Sequence, residues 1–269
     1  MLSKFKQKIL IIFLLAVVIS LSACSKSTDP DRKEIKLGCL AYSEPMLQWI
    51  KEGLEPLGYK VEIVMFDANQ LPATALKDGS IDGVIANHKP WIDTFNAQNK
   101  SNLKMVQPYH FYSFFAMYSA KYKNVSELPE NAKITVMSDP TNLERCLLIL
   151  RDAGIITLGP KNGPFYTVID IKDNPKKVKL IEAEITQVAR SLQDVDAVIS
   201  SAYFIASAAN VDPKVFLFED RQNKDFPLGL IVRAEDVESP WAKEAVKVLR
   251  SDKNKARFAE QYKNKYTLY

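Results

Sequence analysis

The sequence is poor in the residues on which most catalytic and metal sites depend. Only two histidines, His88 and His110, and three cysteines occur among its 269 residues. The cysteines form no Cys-x-x-Cys pair, and no Walker lysine loop, Gly-x-Gly-x-x-Gly loop or Gly-x-Ser-x-Gly elbow is present. These absences argue against a catalytic dyad, a metal site and a nucleotide cofactor. We therefore predict a binding protein with no catalytic residue, no metal and no cofactor.

A strong net charge is also missing. The formal charge is +4, and it falls to about +1 once Lys4, Lys6 and Lys8 are removed with the leader described next. A charge this small gives no general attraction to a polyanion, so we expect no nucleic-acid partner.

The N-terminal segment has the pattern of an exported lipoprotein. Three lysines precede an apolar run over residues 9–19, which is too short for a hydrocarbon core that needs roughly 20 residues. The run ends in Leu-Ser-Ala-Cys at Cys24, which resembles a lipobox. This predicts a signal peptide at 1–23 and a polar, lipidated tether at 24–33 that anchors the protein to the extracytoplasmic face of the cell membrane. The alternative is a simple secretory signal with a chance cysteine.

The two remaining cysteines, Cys39 and Cys146, allow two interpretations. Both can be small buried residues, or they can form the disulfide that an oxidising compartment permits.

From residue 34 onward, short apolar runs alternate with helical patterns, which indicates an α/β fold with largely parallel sheets covered by helices. The series occurs twice, so we predict a two-lobed, type II binding-protein fold. Lobe 1 comprises residues 34–118 plus 228–269, and lobe 2 comprises 119–227. A long aromatic strand at 111–118 and a return strand at 226–232 would cross between the lobes and act as the hinge.

An internal echo supports two similar lobes. Residues 78–87 (DGSIDGVIAN) resemble residues 193–201 (QDVDAVISS), and each copy reads as a helix end, an aspartate turn and a short strand. Ligands of open α/β sheets bind outside the carboxyl ends of the strands. The echo therefore predicts that Asn87 and His88 face Ser200 and Ser201 across a crevice.

Two segments beside this crevice could bind a ligand. His88 begins a predicted helix in which Trp91, three residues on, offers an apolar wall; buried structural roles for both are the alternative. Residues 138–145 (SDPTNLER) place Arg145 one turn into a helix whose free N-H groups and guanidinium suit a carboxylate. The alternative is an arginine paired with a surface glutamate such as Glu144.

Several motifs together resemble the NlpA/MetQ family, the methionine-binding lipoproteins of ABC importers. Besides the lipobox, they are LKDGSID at 76–82, HKPWIDTFN at 88–96, YSAKY at 118–122 and DPTNLER at 139–145. The resemblance covers nearly the whole mature chain. It implies a two-lobed, hinged protein that closes on an amino-acid ligand and delivers it to a permease and ATPase pair.

The resemblance also implies a ligand site, with departures from the family. His88 and Arg145 match, and Trp91 replaces a tyrosine. Asn69 occupies a position at which the family has an aromatic residue. Ser200 and Leu228 occupy positions at which the family has asparagines that hold the ligand's amino and carboxylate groups; the alignment of Ser200 is accurate to within one residue. The ligand-binding residues that we predict are Arg145, His88, Trp91, Asn69, Asn142, Tyr42, Asn87, Ser200 and Leu228.

The sequence thus predicts the substrate-binding lipoprotein of an ABC importer, with a carboxylate-bearing ligand such as methionine, another amino acid or a short peptide. A surface lipoprotein of the same fold, acting as an adhesin or sensor partner without import, is the alternative. We also expect Arg145→Ala to weaken binding at least tenfold and to leave the melting temperature of the empty protein nearly unchanged.

Overall fold

The structure, a computed structural model, describes residues 33–209 and 211–269. The predicted signal peptide, the lipidated Cys24 and the tether up to residue 32 lie outside the described residues. Within the described part, no helix has the length and apolar character that crossing a membrane requires.

The strands are β1 (Glu34–Cys39), β2 (Lys60–Met65), β3 (Gly83–Ile85), β4 (Leu103–Met105), β5 (Phe111–Ser113), β6 (Phe115–Tyr118), β7 (Lys133–Met137), β8 (Thr157–Leu158), β9 (Ile171–Asp173), β10 (Lys179–Ala183), β11 (Ala197–Ser201), β12 (Phe218–Glu219), β13 (Pro227–Leu228), β14 (Ile231–Arg233) and β15 (Tyr266–Leu268). The α-helices are α1 (Glu44–Leu54), α2 (Leu71–Lys77), α3 (Lys89–Asn99), α4 (Pro140–Asp152), α5 (Ile185–Val188), α6 (Ala202–Phe204), α7 (Pro240–Leu249) and α8 (Asp252–Gln261).

Two five-stranded sheets with equivalent arrangements of parallel and antiparallel strands form the two lobes. The first has the order β2-β1-β3-β14-β4, and the second has the order β10-β7-β11-β6-β12. In each sheet three parallel strands are followed by an antiparallel strand that pairs with the third, β14 with β3 and β6 with β11. The prediction of a two-lobed α/β fold is confirmed.

Each sheet has its own hydrophobic core. The first core uses residues between 35 and 111 and between 228 and 266, and the second uses residues between 115 and 205. Because β1 and β3 in lobe 1 and β7 and β11 in lobe 2 are covered on both faces, their side chains are almost all buried. Cys39 and Cys146 are buried and free, so the small-residue interpretation is confirmed over the disulfide.

The sequence echo corresponds to a pair of aspartate hydrogen bonds that occurs once in each lobe. The carboxylate of Asp82 accepts the backbone N-H of Lys36 at 2.8 Å, and the Asp82 N-H donates to the Lys36 carbonyl. Asp196 makes the same two bonds with Lys133. In both lobes the aspartate that begins the third strand is thereby fixed to the first strand, which sets the register of the parallel pair.

The two aspartates should respond differently to neutralisation. Asp82 is buried and also pairs with Arg233, whereas Asp196 is partly exposed and forms its ion pair with the exposed Lys121, at 3.4 Å. We expect Asp82→Asn to lower the free energy of unfolding by about 2–4 kcal/mol, because it weakens a buried ion pair. Asp196→Asn should cost less than about 1 kcal/mol. Chemical denaturation of the two variants tests this; equal losses would contradict it.

Two chain crossings connect the lobes. The predicted aromatic strand at 111–118 is divided at Phe114 into β5 and β6, and the return strand is divided into β13 and β14. β5 pairs with β13 and with the C-terminal strand β15, which the sequence analysis missed. β6 belongs to the second sheet, so residues 115–118, which we had assigned to lobe 1, pair with lobe 2.

Candidate functional site

A cleft of about 50 Å³ lies between the lobes, at the carboxyl ends of the parallel strands. Its walls come from both lobes and combine aromatic and aliphatic side chains with a few polar ones. The lining residues are Leu40, Tyr42, Asn69, Ala86, Asn87, His88, Trp91, Ser113, Phe115, Asn142, Arg145, Ile185, Ser201, Phe204, Leu228 and Tyr266.

Two helix N-termini meet at the cleft, one from each lobe. His88 occupies the N-cap of α3 in extended backbone geometry, and its ring Nδ1 accepts the N-H of Trp91 at 3.1 Å. Asp139 occupies the N-cap of α4, and its carboxylate accepts the N-H of Asn142 at 3.1 Å. A proline lies one or two residues after each cap, within the first turn, where its missing N-H is not needed and its fixed φ suits the helix. The local sequence therefore fixes where both helices begin.

A hydrogen bond between His88 and Asn142 bridges the lobes. The His88 Nε2 lies 3.1 Å from the Asn142 Oδ1, and the Asn142 Nδ2 donates to the Asp139 carboxylate. Because Nδ1 already accepts a backbone N-H, Nε2 carries the proton and donates to Asn142. Burial, followed by the positive charge of Arg145, lowers the pKa of His88 to about 4. The histidine is therefore neutral at pH 7 in this closed arrangement.

Arg145 is the only charged side chain that lines the cleft among the described residues. Its guanidinium carbon lies 4.1 Å from the ring centre of Phe115 and 3.9 Å from that of Phe226, so it is held between two aromatic faces. Nε donates to Asp220 at 2.6 Å, and Nη2 donates to Asn223 at 2.8 Å. The side chain is 2% exposed, and Asp220 is also buried.

This geometry changes two expectations from the sequence. The alternative pairing with Glu144 is wrong, because Glu144 is bound by Lys161. The expected effect of Arg145→Ala on the empty protein also changes, because truncation would leave Asp220 buried without its cation, at a cost of about 3–5 kcal/mol. Arg145 therefore has a structural role in addition to any contact with a ligand.

Aromatic side chains close another side of the cleft. Tyr42 lies edge-on to Tyr203 of lobe 2, with ring centres 5.7 Å apart, and Tyr203 stacks on Tyr266. The Tyr42 hydroxyl donates to the carbonyl of Ala86, so its phenol edge is fixed against β3. Burial raises the pKa of Tyr42 and Tyr266 well above the usual range, so both phenols stay protonated.

Two asparagines line the lobe 1 wall. The Asn87 Nδ2 donates to the backbone carbonyl of Asn69 at 3.1 Å and to its Oδ1 at 3.0 Å. The Asn87 Oδ1 is buried and has no hydrogen-bond partner within residues 33–209 and 211–269.

Of the nine residues predicted to bind a ligand, eight line the cleft, and Ser200 does not. Ser200 is fully buried in β11, and its neighbour Ser201 lines the cleft instead. Successive side chains of a strand point to opposite faces of the sheet. An error of one residue in the alignment therefore names a side chain on the face that points away from the cleft. Whether the eight residues contact a ligand stays a prediction.

Sequence reasoning missed several lining residues and the groups behind Arg145. Leu40, Ser113, Ile185, Phe204 and Tyr266 come from five separate segments, and no local motif marks them. Asp220 and Asn223 lie 75 and 78 residues from Arg145 along the chain. Across the described ranges, no cluster of histidine, cysteine, aspartate and glutamate is placed to hold a metal ion.

Comparison with known proteins agrees with this architecture. A relative from Vibrio cholerae, a probable D-methionine-binding lipoprotein MetQ, is 34% identical over 254 residues and spans 93% of both chains. A structure of a nutrient binding protein from Burkholderia cenocepacia bound to methionine is 31% identical, with a TM-score of 0.80, over 87% of this chain and 99% of that one. A periplasmic substrate-binding protein of an ABC transporter from Coxiella burnetii is 27% identical, with a TM-score of 0.79, over 87% and 100%.

The family match covers the two lobes almost completely. Residues 35–268 match the family described as NlpA lipoprotein. The matched segment runs from the first strand of lobe 1 to the C-terminal strand. Together with the relatives above, this match shows that the chain belongs to the NlpA lipoprotein family, a family of binding proteins and not of enzymes.

Proposed function

We propose that this protein is the substrate-binding lipoprotein of an ABC importer. It captures an amino acid of the methionine type, or a short peptide, between its lobes and delivers it to a permease and ATPase pair. A lipid on Cys24 holds it at the extracytoplasmic face of the cell membrane. The observation that carries the proposal is the interlobe cleft, with one guanidinium and a helix N-terminus on one side and an aromatic wall on the other.

The charges of the cleft suit a zwitterion. Arg145 is already neutralised by Asp220, and His88 is neutral, so the site has almost no net charge. A free amino acid adds one negative and one positive charge, which keeps this balance. The remaining guanidinium donors can bind its carboxylate, and the positive dipole end of α4 favours a negative charge nearby.

The apolar part of the cleft suits a side chain without charge. Leu40, Trp91, Ile185, Phe204 and Leu228 supply aliphatic and aromatic surface around the polar groups. The methionine in the Burkholderia cenocepacia structure and the names of the MetQ relatives support an amino acid of this size. The Coxiella burnetii structure supports the role in an ABC transporter.

Closure follows from the contacts between the lobes. A ligand that touches Arg145 on lobe 2 and the asparagines of lobe 1 stabilises the closed form only through contacts that the open form lacks. The His88–Asn142 hydrogen bond and the Tyr42–Tyr203 contact are made in the same closed state. These contacts stabilise the closed form, so the ligand has to supply less free energy to close the lobes.

A thermal-shift and calorimetric screen of the soluble form from Ser25 to Tyr269 tests the proposal. Residues 33–269 form one compact unit with both cores, so this form should fold. Against the amino acids in both stereochemical forms, and dipeptides, we expect at least one dissociation constant below about 10 μM. Saturation should raise the melting temperature by roughly 5–10 °C. No binding by any compound of the panel would contradict the proposal.

A further inference from the structure

The orientation of the Asn87 amide is fixed by its surroundings. The backbone carbonyl of Asn69 is only an acceptor, so the atom of Asn87 that lies 3.1 Å from it must be Nδ2. The other atom is therefore Oδ1, an acceptor, and the two ends of the amide cannot be exchanged. This assignment makes Oδ1 the group left over in a residue that is 3% exposed and lines the cleft.

An acceptor without a partner in this position is costly unless something donates to it. A buried polar atom that lacks a hydrogen bond lowers stability, and such atoms are rare in folded proteins. In the described part, Ser200 and His110 also have buried side-chain atoms without a hydrogen-bond partner. Neither Ser200 nor His110 lines the cleft, so Asn87 is the residue whose unused acceptor borders the ligand site.

The cleft has no carboxylate with which to receive a positive charge. Among the described residues that line it, none is an aspartate or a glutamate, and Asp220 lies behind Arg145. An amino acid that enters this cleft needs neutral acceptors for its α-ammonium group, because a buried ammonium without hydrogen bonds is strongly unfavourable. The carboxamide oxygen of Asn87 meets this requirement.

From these observations we infer that the Asn87 Oδ1 accepts a hydrogen bond from the α-ammonium group of the ligand. The inference rests on the proposed function and deepens it, because it restricts the ligand to compounds with a free primary amine next to the carboxylate. Arg145 on lobe 2 and Asn87 on lobe 1 then hold opposite charges of one zwitterion. Compounds with an acylated or absent amine should bind at least tenfold more weakly.

The test combines two variants of Asn87 with two forms of one ligand. The probes are the amino acid with the highest affinity in the screen above and the same molecule with hydrogen in place of its ammonium group. Asn87→Leu removes the acceptor, so it should weaken binding of the amino acid at least tenfold and change binding of the amine-free acid less than twofold. Wild-type protein should itself bind the amine-free acid at least tenfold more weakly.

Asn87→Asp separates binding from stability. It keeps the acceptor and adds a charge that favours an ammonium group, so the amino acid should bind within threefold of wild type or more tightly. It loses the donor to the Asn69 carbonyl, so the melting temperature of the empty protein should fall. Arg233→Met is the matched control, because it breaks a largely buried ion pair of lobe 1 at a residue that does not line the cleft, so it should lower the melting temperature without weakening binding by the folded protein.

The outcomes distinguish this inference from the proposed function. If no amino acid binds wild-type protein, the proposed function fails and the inference with it. If an amino acid binds and Asn87→Leu retains its affinity, only the assignment of Asn87 is overturned. The assignment is also overturned if affinity follows the melting temperature across all three variants, because Asn87 would then act through the fold alone.

Discussion

Replacing Arg145 with alanine is expected to unfold the protein at a much lower temperature and to abolish ligand binding at the same time. The substitution leaves the carboxylate of Asp220 buried without a cation and removes the packing between Phe115 and Phe226. Breaking a buried ion pair costs about 3–5 kcal/mol. For a chain of this size, that lowers the melting temperature by roughly 10 °C. Differential scanning calorimetry of the empty protein measures the loss.

A double variant separates the two roles of the arginine. Arg145→Met with Asp220→Asn removes both charges together, and the methionine can still pack between the two phenylalanines. The new asparagine can still accept the N-H of Gln222, which now bonds to Asp220 at 2.8 Å. Replacing a buried pair by neutral groups is often close to neutral for stability, so most of the lost melting temperature should return. Amino-acid affinity should stay at least tenfold below wild type.

Arg233 provides the matched control. It is a largely buried arginine in lobe 1 that pairs with Asp82 and Asp236, and it does not line the cleft. Arg233→Met should therefore lower the melting temperature and leave the affinity of the folded protein within about twofold. If the Arg145 and Asp220 double variant recovered both stability and affinity, the arginine would be purely structural and the carboxylate would have to bind elsewhere.

Much of the lobe architecture could be read from local patterns. The echo around Asp82 and Asp196 depends on a short strand after an aspartate turn, and both aspartates make the same backbone bonds to the first strand of their lobe. The helix starts near His88 and Asp139 could similarly be read from the sequence, since a proline within two residues and a helical apolar pattern follow each of them. These features are specified within about ten residues of chain, which is why one sequence suffices to find them.

The environment of Arg145 could not be read in this way. Its carboxylate partner comes from a loop 75 residues later, and Phe226 follows in the return crossing. Whether an arginine faces a ligand, a neighbouring carboxylate or both depends on long-range packing that local periodicity does not encode. The same limit explains the missed strand β15, which is defined by its pairing with β5 and not by any pattern of its own.

Acidification is expected to destabilise the protein before its carboxylates are protonated. Burial is the main reason that the pKa of both His88 and His110 is lowered from 6.5 to about 4. The unfolded chain therefore binds more protons than the folded one between these pH values. The contribution of the two histidines to the free energy of unfolding is fully present above pH 6.5 and is lost as the pH falls towards 4. Each histidine contributes on the order of 2–3 kcal/mol over this range. Denaturation curves from pH 7.5 to 5 measure the slope.

Single variants measure how much each histidine contributes to the change of stability with pH. His110 lies between the rings of Phe111 and Phe258, and neither of its nitrogens has a partner among the described residues. Besides burial, the charges of Arg250 and Lys255 lower its pKa. His110→Phe should remove part of the slope without a change in ligand affinity, because His110 does not line the cleft. His88→Asn keeps a side chain that can cap α3 and should remove the remainder.

The pH dependence of ligand affinity should arise from His88 and not from His110. Opening the cleft separates His88 from Asn142 and Arg145, so a proton on the histidine favours the open form, and binding should weaken as the pH falls from 7.5 to 5. The α-carboxylate and α-ammonium of an amino acid both stay charged over this range, so the change must arise in the protein. Calorimetric titrations should give the same weakening in wild type and His110→Phe and a flatter profile in His88→Asn. An affinity independent of pH in the wild type would contradict the role of neutral His88 in closure.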